Sequence, residues 1–187
     1  DIYLTYCPGT GKVDEEQKSG KSGIIRDTGR KPAVIVCPGG GYMMTGDREA
    51  EPVANKFAEY GYKAFVLRYS TAASKDPRFP APLVDLAKAI LYLREKSGEW
   101  NIDVSKIVVC GFSAGGHLAA SLGVFWNNRF LTDRLGALGL INGQGLPDSR
   151  VLKPAALILG YPVVDYRRIL KEWVSVAPDG QIIDLRR

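Results

Sequence analysis

Apolar residues in this chain fall into short continuous runs, and the segments between them show either helical spacing or a clustering of Gly, Pro and charge. DIYLTYC (1–7) alternates and is rich in β-forming residues, which predicts an edge strand. Residues 8–31, dominated by Gly, Lys, Asp, Glu and Ser, predict a long mobile loop. AVIVC (33–37) is apolar throughout, the pattern of a strand covered on both faces by helices. It runs into PGGGYMMTGD and then a predicted helix over roughly 48–60, with Val53, Ala54, Phe57 and Ala58 on one face and Gly61 as its stop. KAFVLRY (63–69) is the next buried strand, and 70–82 a proline-rich loop.

A second amphipathic helix is expected at about 82–97, buried along Leu83, Leu86, Ala87, Ile90 and Leu91. KIVVC (106–110) reads as a strand and 114–126 as a small-residue helix packed centrally. Residues 127–153 carry a short helical segment at most, and ALILGYPVV (156–164) reads as another buried strand. The final stretch changes texture: WVSVAPDGQIIDL has two alternating arms around Pro-Asp-Gly, a hairpin pattern. Strands alternating with helices predict a doubly wound α/β fold with a mainly parallel sheet and helices on both faces. Neither repeats nor a second domain are evident, so a single domain over 1–187 is expected.

Composition narrows the function classes. The net charge of +5 comes from interspersed signs, with no basic stripe for nucleic acid. Three cysteines cannot form a closed disulfide framework, and Cys37 and Cys110 end apolar runs, where buried free thiols are expected. No pair has metal-ligand spacing and there is one histidine, so neither a metal nor a cofactor is expected. The longest apolar stretches are of strand length and nothing reads as a signal peptide, which favours a cytoplasmic protein without a membrane partner.

The candidate chemistry lies in GFSAGGH (111–117). Gly-x-Ser-x-Gly between a strand and a helix is how a serine nucleophile is presented on a sharp turn, with Gly111 and Gly115 removing Cβ atoms that would collide. A glycine-rich turn with an incidental serine is the alternative; the strand before and the helix after favour Ser113 as nucleophile. CPGGGY (37–42) follows another strand, and its glycines suit backbone N–H groups aimed at an oxyanion. Phosphate-loop patterns fail there and at CPGTGK, for want of Gly-Lys-Ser/Thr and of the third glycine.

Together PAVIVCPGGGY, DREAEPVANKFAEYGYKAFVLRYS, FPAPLVDLAKAILYLRE, KIVVCGFSAGGHLAASLG and ALILGYPVV resemble the α/β-hydrolase esterases. The similarity is to the acetyl esterase and acetylxylan-esterase-like branch related to hormone-sensitive lipase, over about 32–165. It implies an α/β-hydrolase fold lacking its last strands, with 166–187 a non-matching tail. By that resemblance Ser113 is the nucleophile, and Gly40, Gly41 and the N–H of Ala114 form the oxyanion hole. Related esterases carry His-Gly-Gly-Gly where this chain has Pro38-Gly39-Gly40-Gly41, which changes the anchoring of the loop. Tyr42, Met43 and Met44 would border the acyl site, although core packing explains the methionines equally well.

The family's order of Ser, acid, then His is not completed, because no histidine follows His117. His117 leans back toward Ser113, but its Cα lies about 6 Å deeper along the helix. It is a candidate base on lean alone, and packing between neighbouring loops explains it better. Asp165 is the least poor candidate acid, on position; Asp47 reads as a helix cap, Asp85 as part of the second helix and Asp103 as part of a turn before KIVVC. The function implied is a serine carboxylesterase of short acyl esters, acetylated carbohydrate among them. The alternative is an impaired hydrolase remnant, structural or binding only, self-associating through an exposed sheet edge. A peptidase of the same fold is disfavoured by the missing propeller-type domain.

Overall fold

The computed structural model describes residues 3–9, 29–74, 79–142 and 147–165. Most of the loop expected over 8–31, and the hairpin expected in WVSVAPDGQIIDL, lie outside the described residues.

Among the described residues five strands form one sheet: β1 (Tyr3–Cys7), β2 (Lys31–Cys37), β3 (Lys63–Arg68), β4 (Ile102–Phe112) and β5 (Ala156–Gly160). Their spatial order is β1-β3-β2-β4-β5. β1 runs antiparallel to β3 at one edge, and every other pairing is parallel. The α-helices described with them are α1 (Glu51–Glu59), α2 (Ala81–Glu95), α3 (Ala114–Phe125) and α4 (Arg129–Ala137).

Alternation along the inner strands divides the core in two. Ala33, Ile35, Phe65, Leu67, Ile107 and Val109 point to the face covered by α2 and α3, where Leu83, Leu86, Ile90, Leu118 and Leu122 are buried. Val34, Val36, Ala64, Val66 and Cys110 point to the other face, against Ala50 and Ala54 at α1. Right-handed crossovers require this split. The step from β2 to β3 moves one way along the sheet, and the steps from β3 to β4 and from β4 to β5 move the other way. Their helices must therefore lie on opposite faces.

Several expected boundaries shift. The helix expected from about 48 is a 3-10 turn over Asp47–Glu49 followed by α1, because Pro52 fits only the first turn of an α-helix. KIVVC is the second half of a longer strand that begins at Ile102. Asp103 therefore lies in β4 itself, not in a preceding turn; it accepts from the Ser105 N–H and hydroxyl and pairs with Lys106. ALILGYPVV is not a buried strand. β5 spans only its first half and is the outermost strand on that side among the described residues, with Ile158 and Leu159 42% and 40% exposed. No helix among the described residues is long and apolar enough to cross a membrane.

Beyond β3, the Ser70 N–H and hydroxyl donate to buried Asp85 Oδ2 at 2.9 and 2.6 Å, fastening the loop that leaves the sheet to α2. Asp85→Ala leaves both donors without their acceptor. A loss of about 1–3 kcal/mol is expected, read as a lower urea midpoint at unchanged slope; an unmoved midpoint would show that this bond contributes nothing net.

Candidate active site

β2 and β4 are neighbours, yet the chain leaves them toward opposite faces, to α1 and to α3. Such a divergence opens a crevice at the carboxyl ends of parallel strands. The two motifs singled out in the sequence, PGGG and GFSAG, meet there.

Ser113 links β4 to α3 with φ 50° and ψ −116°, a conformation that side chains rarely adopt. Such strain costs roughly 1–3 kcal/mol and persists where surrounding bonds over-determine it. Here the Ser113 N–H donates to Gly160 O at 3.0 Å, and Ser113 O accepts from the His117 N–H at 2.9 Å and the Val163 N–H at 3.3 Å. The turn is tight enough to exclude side chains at two flanking positions. A Cβ at Gly111 would run into Gly115 O, and one at Gly115 into Cys37 O and Pro38 O. The start of α3 thus rests directly on the backbone at the end of β2.

The loop after β2 lies against the serine: a Cβ at Gly39 would sit 3.0 Å from Ser113 Cβ. Gly40, Gly41 and Tyr42 follow with φ of 137°, 61° and 60°. Gly40 O accepts from the Met43 and Met44 N–H groups at 3.0 and 3.3 Å, and Gly39 O from Gly46 N–H at 2.8 Å. Four further bonds moor this loop. Tyr69 Oη donates to Pro38 O at 2.6 Å, the Gly39 N–H donates to Glu49 Oε2 at 2.7 Å, the Ala72 N–H donates to Tyr42 O at 2.8 Å, and Tyr42 Oη shares a 2.8 Å hydrogen bond with His117 Nδ1. Neither Gly40 nor Gly41 donates its N–H to another group among the described residues. The N–H of Ala114, at the first position of α3, is one that the helix itself cannot satisfy.

His117 is half-buried in the first turns of α3, edge-on to the Tyr42 ring. Asp165 is exposed, beyond the end of β5. Asp47 does not cap α1. With Glu51 it pairs with Arg68, at 2.8 and 2.7 Å, while Arg68 Nη1 also donates to Thr45 O. Burial works against the Arg68 charge, but Glu51 and Asp47 outweigh it and its pKa is raised. Core packing does not explain Met43 and Met44, which are 67% and 61% exposed on the glycine loop. Tyr69 and Glu49, which hold Pro38 and Gly39, carried no signal in the sequence. Both lie in DREAEPVANKFAEYGYKAFVLRYS, but nothing in that stretch marks a bond to residues 10 and 31 positions earlier.

Cys7, Cys37 and Cys110 are all free and buried. Burial pushes the Cys110 thiol up to about 11, and Cys37 beside it higher still, so neither is a nucleophile. Among the described residues no cluster of three or more His, Cys, Asp or Glu is placed to hold a metal ion. Two cavities, of about 350 and 220 Å³, lie away from the serine. One is between β1, β3 and α2, and the other is beside Lys63 and Asn101 at the amino ends of the strands. The chemistry-bearing groups gather at the opposite, carboxyl ends.

Known proteins share this frame. The family model described as BD-FAE matches residues 25–170. The endo-1,4-beta-xylanase B of Butyrivibrio fibrisolvens is 34% identical over 142 residues, which are 75% of this chain and 21% of that protein. Esterase LipQ of Mycobacterium tuberculosis is 37% identical over 94 residues, 49% of this chain and 21% of that one. Among solved structures, carboxylesterase Cest-2923 of Lactobacillus plantarum superposes with a TM-score of 0.62 at 27% identity, over 89% of this chain and 52% of that one. The acetyl ester-xyloside bifunctional hydrolase of Caldicellulosiruptor lactoaceticus gives 0.57 at 29% identity, over 90% and 59%. The chain therefore spans about a fifth of the length of those two curated relatives and little more than half that of the two solved structures.

Two outcomes follow from this geometry. Gly115→Ala forces α3 off the end of β2 and is expected to cost at least about 1–3 kcal/mol in urea unfolding; full stability would mean the contact is not tight. Burial holds the His117 imidazole below the ordinary histidine value of 6.5. Just below that pH the unfolded chain takes up a proton that the folded chain does not, so stability falls as pH drops through this window. A histidine side-chain NMR titration, with one imidazole in the whole sequence, should give a midpoint under 6.5; a midpoint at or above it would contradict the burial.

Proposed function

The chain belongs to the BD-FAE family of α/β hydrolases, and from that membership we propose that it carries the nucleophile and oxyanion half of a serine carboxylesterase for short acyl esters. The observation that carries this reading is the joint placement of Ser113 and the Gly39–Gly41 loop across one crevice. Ser113 Oγ attacks the acyl carbon, its proton passes to a general base, and the alcohol leaves with a proton returned by that base. Water then hydrolyses the acyl-serine by the same exchange. Negative charge on the carbonyl oxygen is met by the N–H groups of Gly40, Gly41 and Ala114, and the N-terminus of α3 adds its dipole.

His117 is not assigned as the base. Its backbone holds the Ser113 carbonyl and its Nδ1 holds Tyr42, one helical turn below the hydroxyl. The base and its acid partner are assigned to the part of the fold that these 187 residues do not span. An acetylated carbohydrate fits the kinship with the acetyl ester-xyloside hydrolase and with the acetylxylan esterase of Xylanibacter ruminicola, 29% identical over 89 residues.

Fluorophosphonate labelling tests the assignment without needing the complete proton relay. Label is expected on Ser113, abolished by Ser113→Ala and still detectable in His117→Ala. With p-nitrophenyl acetate, Ser113→Ala in the protein as its gene encodes it should lower kcat by on the order of 10⁶-fold. Labelling indifferent to Ser113 would overturn the nucleophile, and labelling abolished by His117→Ala would make His117 the base.

A further inference from the structure

The geometry points to Tyr42 and His117 as a positioning pair that locks the oxyanion loop to the nucleophile turn. This goes further than the proposed function but rests on it, taking Ser113 as the nucleophile and the Gly40 and Gly41 N–H groups as the donors.

Oxyanion donors act only if they are aimed before the charge develops, since reorganising them during the reaction would consume the advantage. The loop here is poorly suited to hold its own aim. Gly40, Gly41 and Tyr42 in succession have positive φ, and two of the three have no side chain to pack. Gly41 is exposed, and Met43 and Met44 beyond it are largely in solvent. Tyr42 is the first residue after the glycines that can be fixed by a side chain. It is also the non-glycine residue that this turn forces into the left-handed region, at a cost of roughly 1 kcal/mol.

That cost is met by contacts on three sides. The Tyr42 carbonyl accepts from the Ala72 N–H, its ring stands edge-on to Tyr69 with centroids 5.7 Å apart, and its hydroxyl bonds His117 Nδ1 at 2.8 Å. Of these, only the last reaches α3. His117 in turn donates its own N–H to Ser113 O at 2.9 Å. One residue thus holds the carbonyl of the nucleophile through its backbone and the end of the donor loop through its ring. The distance between attacking oxygen and oxyanion donors is fixed through it. Tyr69, by contrast, moors Pro38 at the start of the loop through its hydroxyl and touches the end through its ring contact with Tyr42, and neither contact reaches α3.

The test compares Tyr42→Phe, His117→Ala, His117→Gln and the Tyr42→Phe/His117→Ala double variant, in the protein as its gene encodes it. Readouts are the rate constant of fluorophosphonate labelling, kcat and KM for p-nitrophenyl acetate, and Tm. Tyr42→Phe removes a single oxygen and is expected to lower kcat and the labelling rate constant by about tenfold to a hundredfold with KM unchanged, the scale of a misaimed catalytic group. The double variant should be no worse than the poorer single one, because both break the same bond. His117→Gln, which can still reach Tyr42, should recover most of the loss.

A merely structural bond would lower Tm and leave kcat within about twofold, and that result overturns the proposal. So would losses that multiply in the double variant, or a rise in KM at constant kcat. If instead Ser113→Ala leaves labelling intact, it is the nucleophile assignment that falls, and the two failures are distinguishable.

Discussion

Everything at the carboxyl end of this sheet depends on one backbone-to-backbone contact. The first turn of α3 lies on the carbonyls of Cys37 and Pro38 with no room for a single methyl group at Gly115. Interiors are packed to crystal-like density and transmit small displacements, so this contact sets the separation of β4's exit from β2's exit. Ser113 and the glycine loop become neighbours because of it. A side chain at Gly115 would not remove either motif, but would move one away from the other.

Around this contact the molecule uses polar bonds where the backbone is least regular and apolar packing where it is most regular. The interiors of β2 and β3 are nearly all Val, Ile, Ala, Leu and Phe, fully buried on both faces. The loop from Pro38 to Glu49 has almost no apolar burial and is held by Tyr69, Glu49, Arg68 and His117 instead. Arg68 gathers Thr45, Asp47 and Glu51 from a position in which its own side chain is only 11% exposed. Hydrogen bonds to ionised groups are stronger than neutral ones, which suits a segment that hydrophobic burial cannot fix.

Much of the frame was legible in the sequence because strands covered on both faces leave an unmistakable mark. AVIVC is apolar throughout and KAFVLRY at every buried position except Arg68, and of the expected helical stripe Leu83, Leu86, Ala87 and Ile90 are buried against them and Leu91 partly so. The same rule misjudged ALILGYPVV, since a continuous apolar run reports hydrophobicity and not which neighbours are there to cover it. Asp47 was misjudged for a related reason: a carboxylate ahead of a helix reads locally as a cap, whereas Arg68 claims it from a strand far along the chain. In the site, the two glycine motifs were legible because they encode backbone shape. Of the side chains that moor them, His117 was legible as a brace between loops, but its partner Tyr42, and Tyr69 and Glu49, were not. Their roles exist only once β2, β3 and β4 stand side by side.

The bonds that restrain Ser113 also set an order in time. Its N–H is taken up by Gly160 O and its carbonyl by the Val163 N–H, from a segment made well after the serine itself. While a chain is being synthesised, residues 111–117 can leave the ribosome with β2 and β3 already complete, yet the strained turn has neither of these partners until β5 has followed and docked. Until then the turn is restrained from within α3 and by the end of β2 alone. The strained conformation of Ser113 is thus completed only by the arrival of a later strand.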